Sequence, residues 1–387
     1  MAIRTRDLEQ TPDRRDNHSR HHDRKDKSND EHPWPRTHQG SGDDKKSDRA
    51  THGSVAAAHQ VLANRHDRES YLDVARREAN MSALRIASFL PAATEMIYLL
   101  GLADRLVGRT HECDYPEEVK DKPIIVDCAL DLCRMTMAQI DVAVSEQLAS
   151  GKSLYKVDEA KLRAAAPNLL VTQNLCQVCG PAGNEVSQVL KTMSDSPKII
   201  WQTPRTFDEV LEAVRALGKE TGTEVKAEEW AENAGSRVRK ISDVTKTLKR
   251  VRVSFLEWVD PIYAGGHWIP QMLEWAGAED LNSRDGTDSV RIPWERVQGY
   301  LPEVILVSPC GFKTSKALEQ AALLGSKPGW SALPAVRDGR VYAVDANAYF
   351  ARPGPRLVEG IELMAHLIHP DRFAWNGAPD AYAAVRR

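Results

Sequence analysis

Residues 206–250 read TFDEVLEAVRALGKETGTEVKAEEWAENAGSRVRKISDVTKTLKR, and the rest of the chain is arranged around this stretch. Thr206 and Glu209 have the S/T-x-x-E spacing of a helix capping box, and apolar residues follow on one helical face. From Val225 to Leu248, apolar residues recur every three to five positions, close to the helical period. The pattern predicts a long helix with one apolar face.

The sequence on either side of this stretch repeats one plan. Residues 159–176 read EAKLRAAAPNLLVTQNLC, and residues 294–311 read WERVQGYLPEVILVSPCG. Each string runs from a helical pattern through a proline into an apolar strand and then to a cysteine. Two α/β lobes joined by a single long helix account for this repeat. We place the lobes at 83–205 and 251–375, the helical linker at 206–250 and a tail at 376–387.

Residues 1–82 differ in composition from the rest of the chain. Charged residues, histidine, serine and glycine crowd this segment, and it has almost no apolar run that could contribute to a core. Globular patterning begins abruptly at Met81. We therefore expect a disordered polar tail and treat Met81 as a candidate translation start.

Composition and charge argue against several classes of protein. The formal net charge is −3 and basic residues are dispersed among acidic ones, so a nucleic-acid partner is not expected. The sequence shows no secretory h-region and no apolar run of the ~18 residues that a membrane span requires, which favours a cytoplasmic protein without a membrane span. Six cysteines in 387 residues favour thiols or metal ligands over a disulfide scaffold.

Polar and aromatic side chains are concentrated just after the predicted strands. Ligands of open α/β sheets gather at the carboxyl ends of the strands, so these side chains are candidates for a ligand site. In the first half they are Arg109, His111, Glu112, Cys113, Gln173 and Asn174. In the second half they are Glu257, Trp258, His267, Trp268, Asn347, Tyr349 and Arg352. The two sets are expected to face each other.

Cys176 and Cys179 form a C-x-x-C pair, which is a weak signal on its own. The pair fits half of a zinc site, a redox pair or two loop thiols. If the lobes close as predicted, Cys113 and Cys310 come near this pair, and the cluster becomes a candidate site for zinc or iron. Packing thiols and a tight turn are the alternative explanation.

Several strings, taken in order, resemble one family. They are SFLPAATEMIYLLGLADRLVGRTHECDYP, NLCQVCG, LEW followed by AGGHWIP, SPCGF and DANAYFARPGPRLVEGIELMAHLIHP. The resemblance that they carry covers about residues 84–370. They are similar to the cobalamin and iron-siderophore class of substrate-binding proteins of ABC importers, in particular its vitamin B12-binding branch. One departure is that the P-S-x-T-E opening of that family reads PAATE at residues 91–95.

The resemblance implies a class III periplasmic-binding-protein-like fold. In this fold, one long helix bridges two Rossmann-like lobes, hinge motion is small and the ligand lies between the lobes. The resemblance also implies a small-molecule ligand, a periplasmic location and an ABC permease as partner. We expect a monomer, because two self-contained lobes on one helix need no partner to fold.

A corrin ligand would need aromatic faces for stacking and amide or guanidinium groups for its polar rim. Trp258, Trp268 and Tyr349 are candidates for the faces, although tryptophan is also common in protein cores. His267 and His111 are candidates for an axial nitrogen on cobalt or iron.

The leading hypothesis is a substrate-binding protein that holds a corrinoid such as cobalamin between its lobes, for ABC-type uptake or as a cytoplasmic carrier or sensor. An enzyme is not expected, because no P-loop, G-x-S-x-G or H-E-x-x-H motif occurs. Three alternatives stay open. One is binding of an Fe(III)-siderophore or haem, and another is a metal- or corrinoid-dependent enzyme that uses the Cys/His cluster. The third is a degenerate pair of lobes that only docks other proteins and binds no small ligand.

Overall fold

The fold consists of two α/β lobes connected by a pair of helices, in a computed structural model that describes residues 83–132, 134–173 and 195–386. Each lobe is built on a six-stranded sheet. The predicted fold class and the predicted two-lobe repeat are confirmed.

The first sheet has the strand order β4-β3-β2-β1-β5-β6, and β4 runs antiparallel to β3. Its strands are β1 (Ile86–Ser88), β2 (Leu106–Thr110), β3 (Ile124–Cys128), β4 (Tyr155–Val157), β5 (Leu169–Thr172) and β6 (Lys198–Trp201). The central strands β1 and β5 are buried along their whole length and run parallel, with Ile86 beside Leu169. Near-continuous apolar strands of this kind are typical of a parallel sheet that is covered on both faces.

The helices of the first lobe begin at clear sequence signals. They are α1 (Pro91–Leu99), α2 (Met137–Ala149) and α3 (Glu159–Ala165), with 3₁₀ turns at Ala103–Arg105 and Glu117–Asp121. Pro91 occupies the first turn of α1, where its fixed φ suits a helix and its missing N–H is not needed. Thr136 and Gln139 form a capping box at the start of α2. The chain therefore passes directly from β1 into α1 at the edge of the sheet.

The second sheet has the order β12-β11-β10-β7-β8, with β9 paired to β7. Its strands are β7 (Val251–Val259), β8 (Ile262–Ala264), β9 (Ala278–Glu279), β10 (Val304–Val307), β11 (Val341–Val344) and β12 (Tyr382–Ala384). Strands β7, β10 and β11 are parallel, and the two outer strands β8 and β12 are antiparallel to their neighbours.

Six helices and two 3₁₀ turns accompany this sheet in the described part of the second lobe. The helices are α6 (Ile269–Trp275), α7 (Trp294–Tyr300), α8 (Thr314–Ala321), α9 (Pro334–Arg337), α10 (Ala346–Tyr349) and α11 (Leu357–Ile368). The turns are Ala322–Ser326 and Trp330–Ala332. The last helix, α11, is the most buried of them and packs against the linker.

The linker contains two helices, α4 (Phe207–Thr221) and α5 (Glu224–Thr245). The Thr206 hydroxyl accepts the N–H of Glu209 at 3.2 Å, as the capping spacing predicts. Gly222 ends α4 with φ at +73°, in the left-handed region that glycine adopts without strain. The helix α5 has 22 residues and is the long bridge.

The bridge packs against both lobes and forms ion pairs with the second. Its buried face carries small residues, and a Cβ on Gly218 of α4 would lie only 2.5 Å from the Cβ of Ala227. On the side of the second lobe, Arg237 pairs with Glu359 and Glu362 of α11 at 3.1 and 2.7 Å. One continuous core includes residues of α1, α5 and α11, which restricts hinge motion about the bridge.

The repeat extends to backbone detail. Ala166 at the end of α3 has φ +40° and Leu301 at the end of α7 has φ +53°, so both helices end in a left-handed residue that is not glycine. Each of these residues precedes a proline, Pro167 or Pro302, which stops the helix. Strands β5 and β10 then occupy corresponding central places in their sheets.

The expected tail at 376–387 contributes to the second sheet. Strand β12 pairs with β11, and the Tyr382 ring makes an edge contact with Tyr342 at 5.9 Å between centroids. The Tyr382 hydroxyl also lies 3.1 Å from His366 Nε2. These contacts extend the second lobe past its predicted end at residue 375. Sequence reasoning missed the strand because only three residues of it pair.

Candidate ligand-binding cleft

A cleft lies where the loops after β2 and β5 of the first lobe meet the loops after β10 and β11 of the second. One part of it, which we call the polar chamber, has a volume of about 200 Å³. The predicted ligand-binding residues in its wall are His111, Glu112, Gln173, Asn347 and Arg352, and the predicted metal ligand Cys310 also lines it. The start of α1 completes the wall at residues 90–92. The structure thus brings together five of the residues predicted from strand ends.

A second part of the cleft, the apolar chamber, has a volume of about 440 Å³. Its apolar wall consists of Leu130, Leu132, Ile140, Val144, Leu154 and Tyr155 from the first lobe and Trp258 and Phe312 from the second. His111, Glu112, Cys310 and Gly311 line both chambers, so the two adjoin. A ligand that occupies both would meet polar groups at one end and apolar rings at the other.

Trp258 is both a core residue and a wall of the apolar chamber. It is 4% exposed, and its Nε1–H donates to the Asp260 carbonyl at 3.1 Å. Its ring centroid lies 5.6 Å from that of Phe312. The indole is therefore held in place before any ligand arrives, as an aromatic stacking face requires.

Arg352 links the two lobes at the polar chamber. Its Nη1 lies 2.6 Å from Asp114 Oδ1 and 3.5 Å from Glu95 Oε1, and its Nη2 donates to the Glu112 carbonyl at 2.9 Å. Arg356 adds a bidentate pair to Glu95. Burial alone would lower the pKa of Arg352, but Asp114 and Glu95 outweigh it and raise that pKa. The guanidinium stays charged and fully engaged.

Asp141 links the lobes at the apolar chamber. It is 7% exposed, accepts the Tyr263 hydroxyl at 3.1 Å and pairs with Arg291 at 2.7 Å. Asp141 lies on α2 of the first lobe, whereas both partners belong to the second lobe. The cleft is thus bounded by inter-lobe polar contacts at both chambers.

His111 lies at the junction of the two chambers. Its Nδ1 is 3.5 Å from Asp127 Oδ1, which is too long for a well-formed hydrogen bond. The side chain is 28% exposed. A carboxylate near one ring nitrogen is the arrangement that orients a histidine ligand toward a metal through the other nitrogen.

Two predicted site residues of the first lobe line neither chamber. The Arg109 guanidinium donates to four backbone carbonyls at 3.0–3.2 Å and so fixes the loop that carries His111. The acceptors are Thr110, Cys113, Lys120 and Lys122. Cys113 is 2% exposed, its Sγ lies 3.0 Å from Thr94 Oγ1, and burial raises the pKa of its thiol.

Glu257 and His267 support a neighbouring loop and also line neither chamber. Glu257 accepts the N–H of Gly266 at 3.0 Å and the hydroxyl of Ser289. His267 has φ +51° and is 7% exposed, and its Nε2 lies 3.3 Å from Asp288 Oδ1. Burial lowers the pKa of His267, although Asp288 opposes this shift. The left-handed turn sets the ring against Asp288 instead of the cleft.

Trp268 and Tyr349 belong to the core. Trp268 is 5% exposed, and its Nε1–H donates to the Phe350 carbonyl at 2.8 Å. The Tyr349 ring packs edge-on against Trp375 at 5.7 Å. The core alternative therefore applies to Trp268, and neither ring is available to stack on a ligand in the two chambers.

The predicted metal cluster is not assembled by the described residues. Asn174, Cys176 and Cys179 lie outside them. Within them, no group of three or more His, Cys, Asp or Glu residues is arranged to hold a metal ion. Cys310 lines both chambers without such a group around it.

Sequence analysis missed several residues of the apolar chamber. Cys128 ends β3, and Phe312 and Lys316 follow β10. The rule that selected other residues, a position just past a strand end, applies to Cys128 and Phe312 as well.

Comparison with known proteins places the chain in a family. Residues 86–348, more than half of the chain, match the periplasmic binding protein family. An uncharacterized ABC transporter substrate-binding lipoprotein of Bacillus subtilis, YvrC, is 27% identical, with 75% of this chain and 81% of that protein covered. The vitamin B12-binding protein of Vibrio cholerae is 24% identical over 72% of this chain and 87% of its own length.

A solved periplasmic heme binding protein from Pseudomonas aeruginosa has the same fold, with a TM-score of 0.59, 18% identity and coverage of 79% of this chain and 98% of that one. The two sequence relatives are named as binding proteins, in agreement with the expectation of a binding protein and not an enzyme. No helix among the described residues is long and apolar enough to cross a membrane. Because the match covers both lobes and the bridge, the chain belongs to the periplasmic binding protein family.

Proposed function

We propose that this protein is the substrate-binding component of an ABC uptake system and holds a corrinoid in the cleft between its lobes. The observation that carries the proposal is the division of the cleft into a polar and an apolar chamber that adjoin at His111 and Cys310. A corrinoid has a flat apolar ring with a polar, amide-bearing edge, and it needs both surroundings at once. An ABC permease as partner and a periplasmic location follow from the family and belong to the same proposal.

Each chamber would meet a different part of the ligand. Trp258 and Phe312 would contact the ring face, because both are fixed aromatic walls of the larger chamber. Gln173 and Asn347 would exchange hydrogen bonds with the amide edge in the smaller chamber. Several relatives are named vitamin B12-binding proteins, and this supports a corrinoid as the ligand class.

Titration calorimetry with cyanocobalamin and aquocobalamin tests the proposal. We expect one-to-one binding of at least one of the two. Asn347→Ala should weaken binding by about three- to tenfold, the effect of one neutral hydrogen bond. Asn376→Ala, at an exposed position away from the cleft, is the matched control. Absence of heat with both ligands would rule out the corrinoid function.

A second candidate is binding of haem or an Fe(III) chelate, and His111 is the observation that favours it. With Asp127 near Nδ1, its Nε2 is a candidate axial ligand for iron or cobalt. Solved structures with this fold include proteins described as heme-binding. An absorption spectrum of the protein mixed with haem would show a Soret shift that His111→Ala removes. Tighter binding of aquocobalamin than of cyanocobalamin would indicate the same histidine on cobalt.

A further inference from the structure

We infer that Glu112 and Asp127 make the cleft select ring ligands with uncharged amide edges and reject rings that carry carboxylates. This inference deepens the proposed function and rests on it. It concerns the charge that a ligand meets on entry. The described residues around both chambers contribute to that charge.

Most of the positive charge at the cleft is already engaged by the protein. The Arg352 side chain is only 11% exposed and is held by Asp114 at 2.6 Å and by Glu95 at 3.5 Å. Asp141 is neutralised in the same way by Arg291 at 2.7 Å. These pairs therefore offer a ligand carboxylate no cation without first breaking a buried inter-lobe contact.

Three charged groups remain on the cleft wall. Glu112 and Asp127 form no direct ion pair with Arg or Lys within the described part of the chain. Glu112 attracts Arg352 only at longer range, and Asp127 lies 3.5 Å from His111. Lys316 likewise has no carboxylate partner among the described residues, and its ammonium lies 4.7 Å from the centroid of the Phe312 ring. Lys313 lies near the polar chamber, but it pairs with Asp114 at 3.6 Å and lines neither chamber. Among the described residues of the chamber linings, two carboxylates thus oppose one ammonium.

This imbalance discriminates between ligands of similar size and shape. A ring with several carboxylates could place one on Lys316, but the others would face Glu112 and Asp127 with like charge. Amide N–H groups would instead donate to those two carboxylates, in charge-assisted hydrogen bonds. Glu112 lines both chambers, so the selection acts at the point through which a ligand must extend from one to the other.

The matched probes are dicyanocobinamide and dicyanocobyrinic acid, which share the corrin ring and the axial cyanides. The edge of the first carries mainly amides, and the edge of the second carries only carboxylates. Calorimetry with the whole protein at neutral pH should show at least tenfold tighter binding of the amide. In the double variant Glu112→Gln with Asp127→Asn, the affinity for dicyanocobyrinic acid should rise by about five- to tenfold for each charge removed. The affinity of the same double variant for dicyanocobinamide should fall by about threefold, because a charged hydrogen-bond acceptor is replaced by a neutral one.

Two further variants separate charge selection from a general effect on folding. Lys316→Gln should weaken binding of dicyanocobyrinic acid further. It should therefore increase the ratio of the two affinities, whereas the double variant decreases it. Glu232→Gln, an exposed carboxylate on α5, should leave both affinities unchanged. High salt should reduce the ratio of the affinities for the two ligands. Asp127 is 68% exposed, so salt screens its charge.

The outcomes separate this inference from the function on which it rests. If the wild-type protein binds dicyanocobyrinic acid as tightly as dicyanocobinamide, charge selection is overturned while corrinoid binding stands. The same holds if the double variant does not bind dicyanocobyrinic acid more tightly than the wild type does. If neither ring binds the wild-type protein, the corrinoid function itself is overturned.

Discussion

Arg352 of the second lobe and Asp114 of the first lobe form an ion pair across the polar chamber, with 2.6 Å between Nη1 and Oδ1. The same guanidinium holds the backbone carbonyl of Glu112, so one side chain fixes the position of a chamber wall and joins the lobes. Together with Arg356 on Glu95, it sets the lobe separation at that chamber. Such a cleft is preorganised, and a ligand need not supply the free energy to close it.

Arg352→Met should destabilise the protein strongly, because it leaves Asp114 and Glu95 with one cation fewer in a buried place. Loss of one partner from a buried pair costs about 3 kcal/mol. Urea denaturation would measure the change. Arg163→Met removes an exposed pair with Glu159 and should leave the midpoint almost unchanged. Equal effects of the two variants would show that Arg352 does not hold the lobes together.

Ala166→Gly and Leu301→Gly should each stabilise the protein by about 0.5–1 kcal/mol. Both residues have positive φ, which costs free energy in any residue with a Cβ and costs glycine almost nothing. Ala164→Gly, two residues earlier on the exposed face of α3, should instead destabilise by about 1 kcal/mol. Thermal unfolding of the three variants tests the sign of the change in stability. Destabilisation in all three would mean that the left-handed caps are not strained.

The fold could be predicted from sequence because its signals are local and repeated. The Thr206 helix cap, the glycine at Gly222 and the helix-proline-strand plan around residues 159–176 and 294–311 each follow from a few neighbouring residues. The Glu209 half of the predicted capping box is not formed, because its carboxylate accepts the N–H of Arg205 instead of that of Thr206. The site could be predicted only in part. Gln173 and Asn347, which were selected because they follow strands, line the polar chamber, and their contact with a ligand stays a prediction.

Selection of residues just past a strand end does not identify those that line the cleft when the side chain points elsewhere. Arg109 follows the rule, yet its guanidinium faces four carbonyls of its own loop. His267 follows it too, but a left-handed backbone sets the ring against Asp288. A linear pattern contains neither the local hydrogen-bond acceptors nor the sign of φ. Position along the chain is therefore a better guide to the neighbourhood of a site than to its contacts.

His267 should give the stability of the protein a pH dependence in weakly acidic solution. Burial lowers the pKa of His267 from 6.5 to about 4, so between these values the unfolded chain binds a proton that the folded protein does not. The stabilisation is present above pH 6.5 and is lost as the pH falls toward about 4, by up to ~1.4 kcal/mol per pH unit.

His267→Asn isolates this effect, because asparagine tolerates positive φ and does not titrate. We expect the difference in unfolding free energy between wild type and variant to shrink as the pH drops through this window. Denaturant titrations over a pH series would measure it. A difference that stays constant with pH would contradict the assignment to His267.

A bound corrinoid should protect Cys128 and Cys310 from alkylation and leave Cys113 unaffected. Cys128 lines the apolar chamber and Cys310 lines both chambers, so a ligand in the cleft would cover both thiols. Cys113 is 2% exposed, and burial raises the pKa of its thiol, so it should react slowly with or without ligand.

Mass spectrometry after timed iodoacetamide treatment would read each cysteine separately, with Cys113 as the internal control. We expect saturating cyanocobalamin to slow alkylation at Cys128 and Cys310 by at least fivefold, in proportion to the occupied fraction of the protein. Protection at both would place the ligand in the apolar chamber, which both thiols line, between the two lobes. Protection of Cys310 alone would confine the ligand to the polar chamber, and unchanged rates at both would place any bound corrinoid outside this cleft.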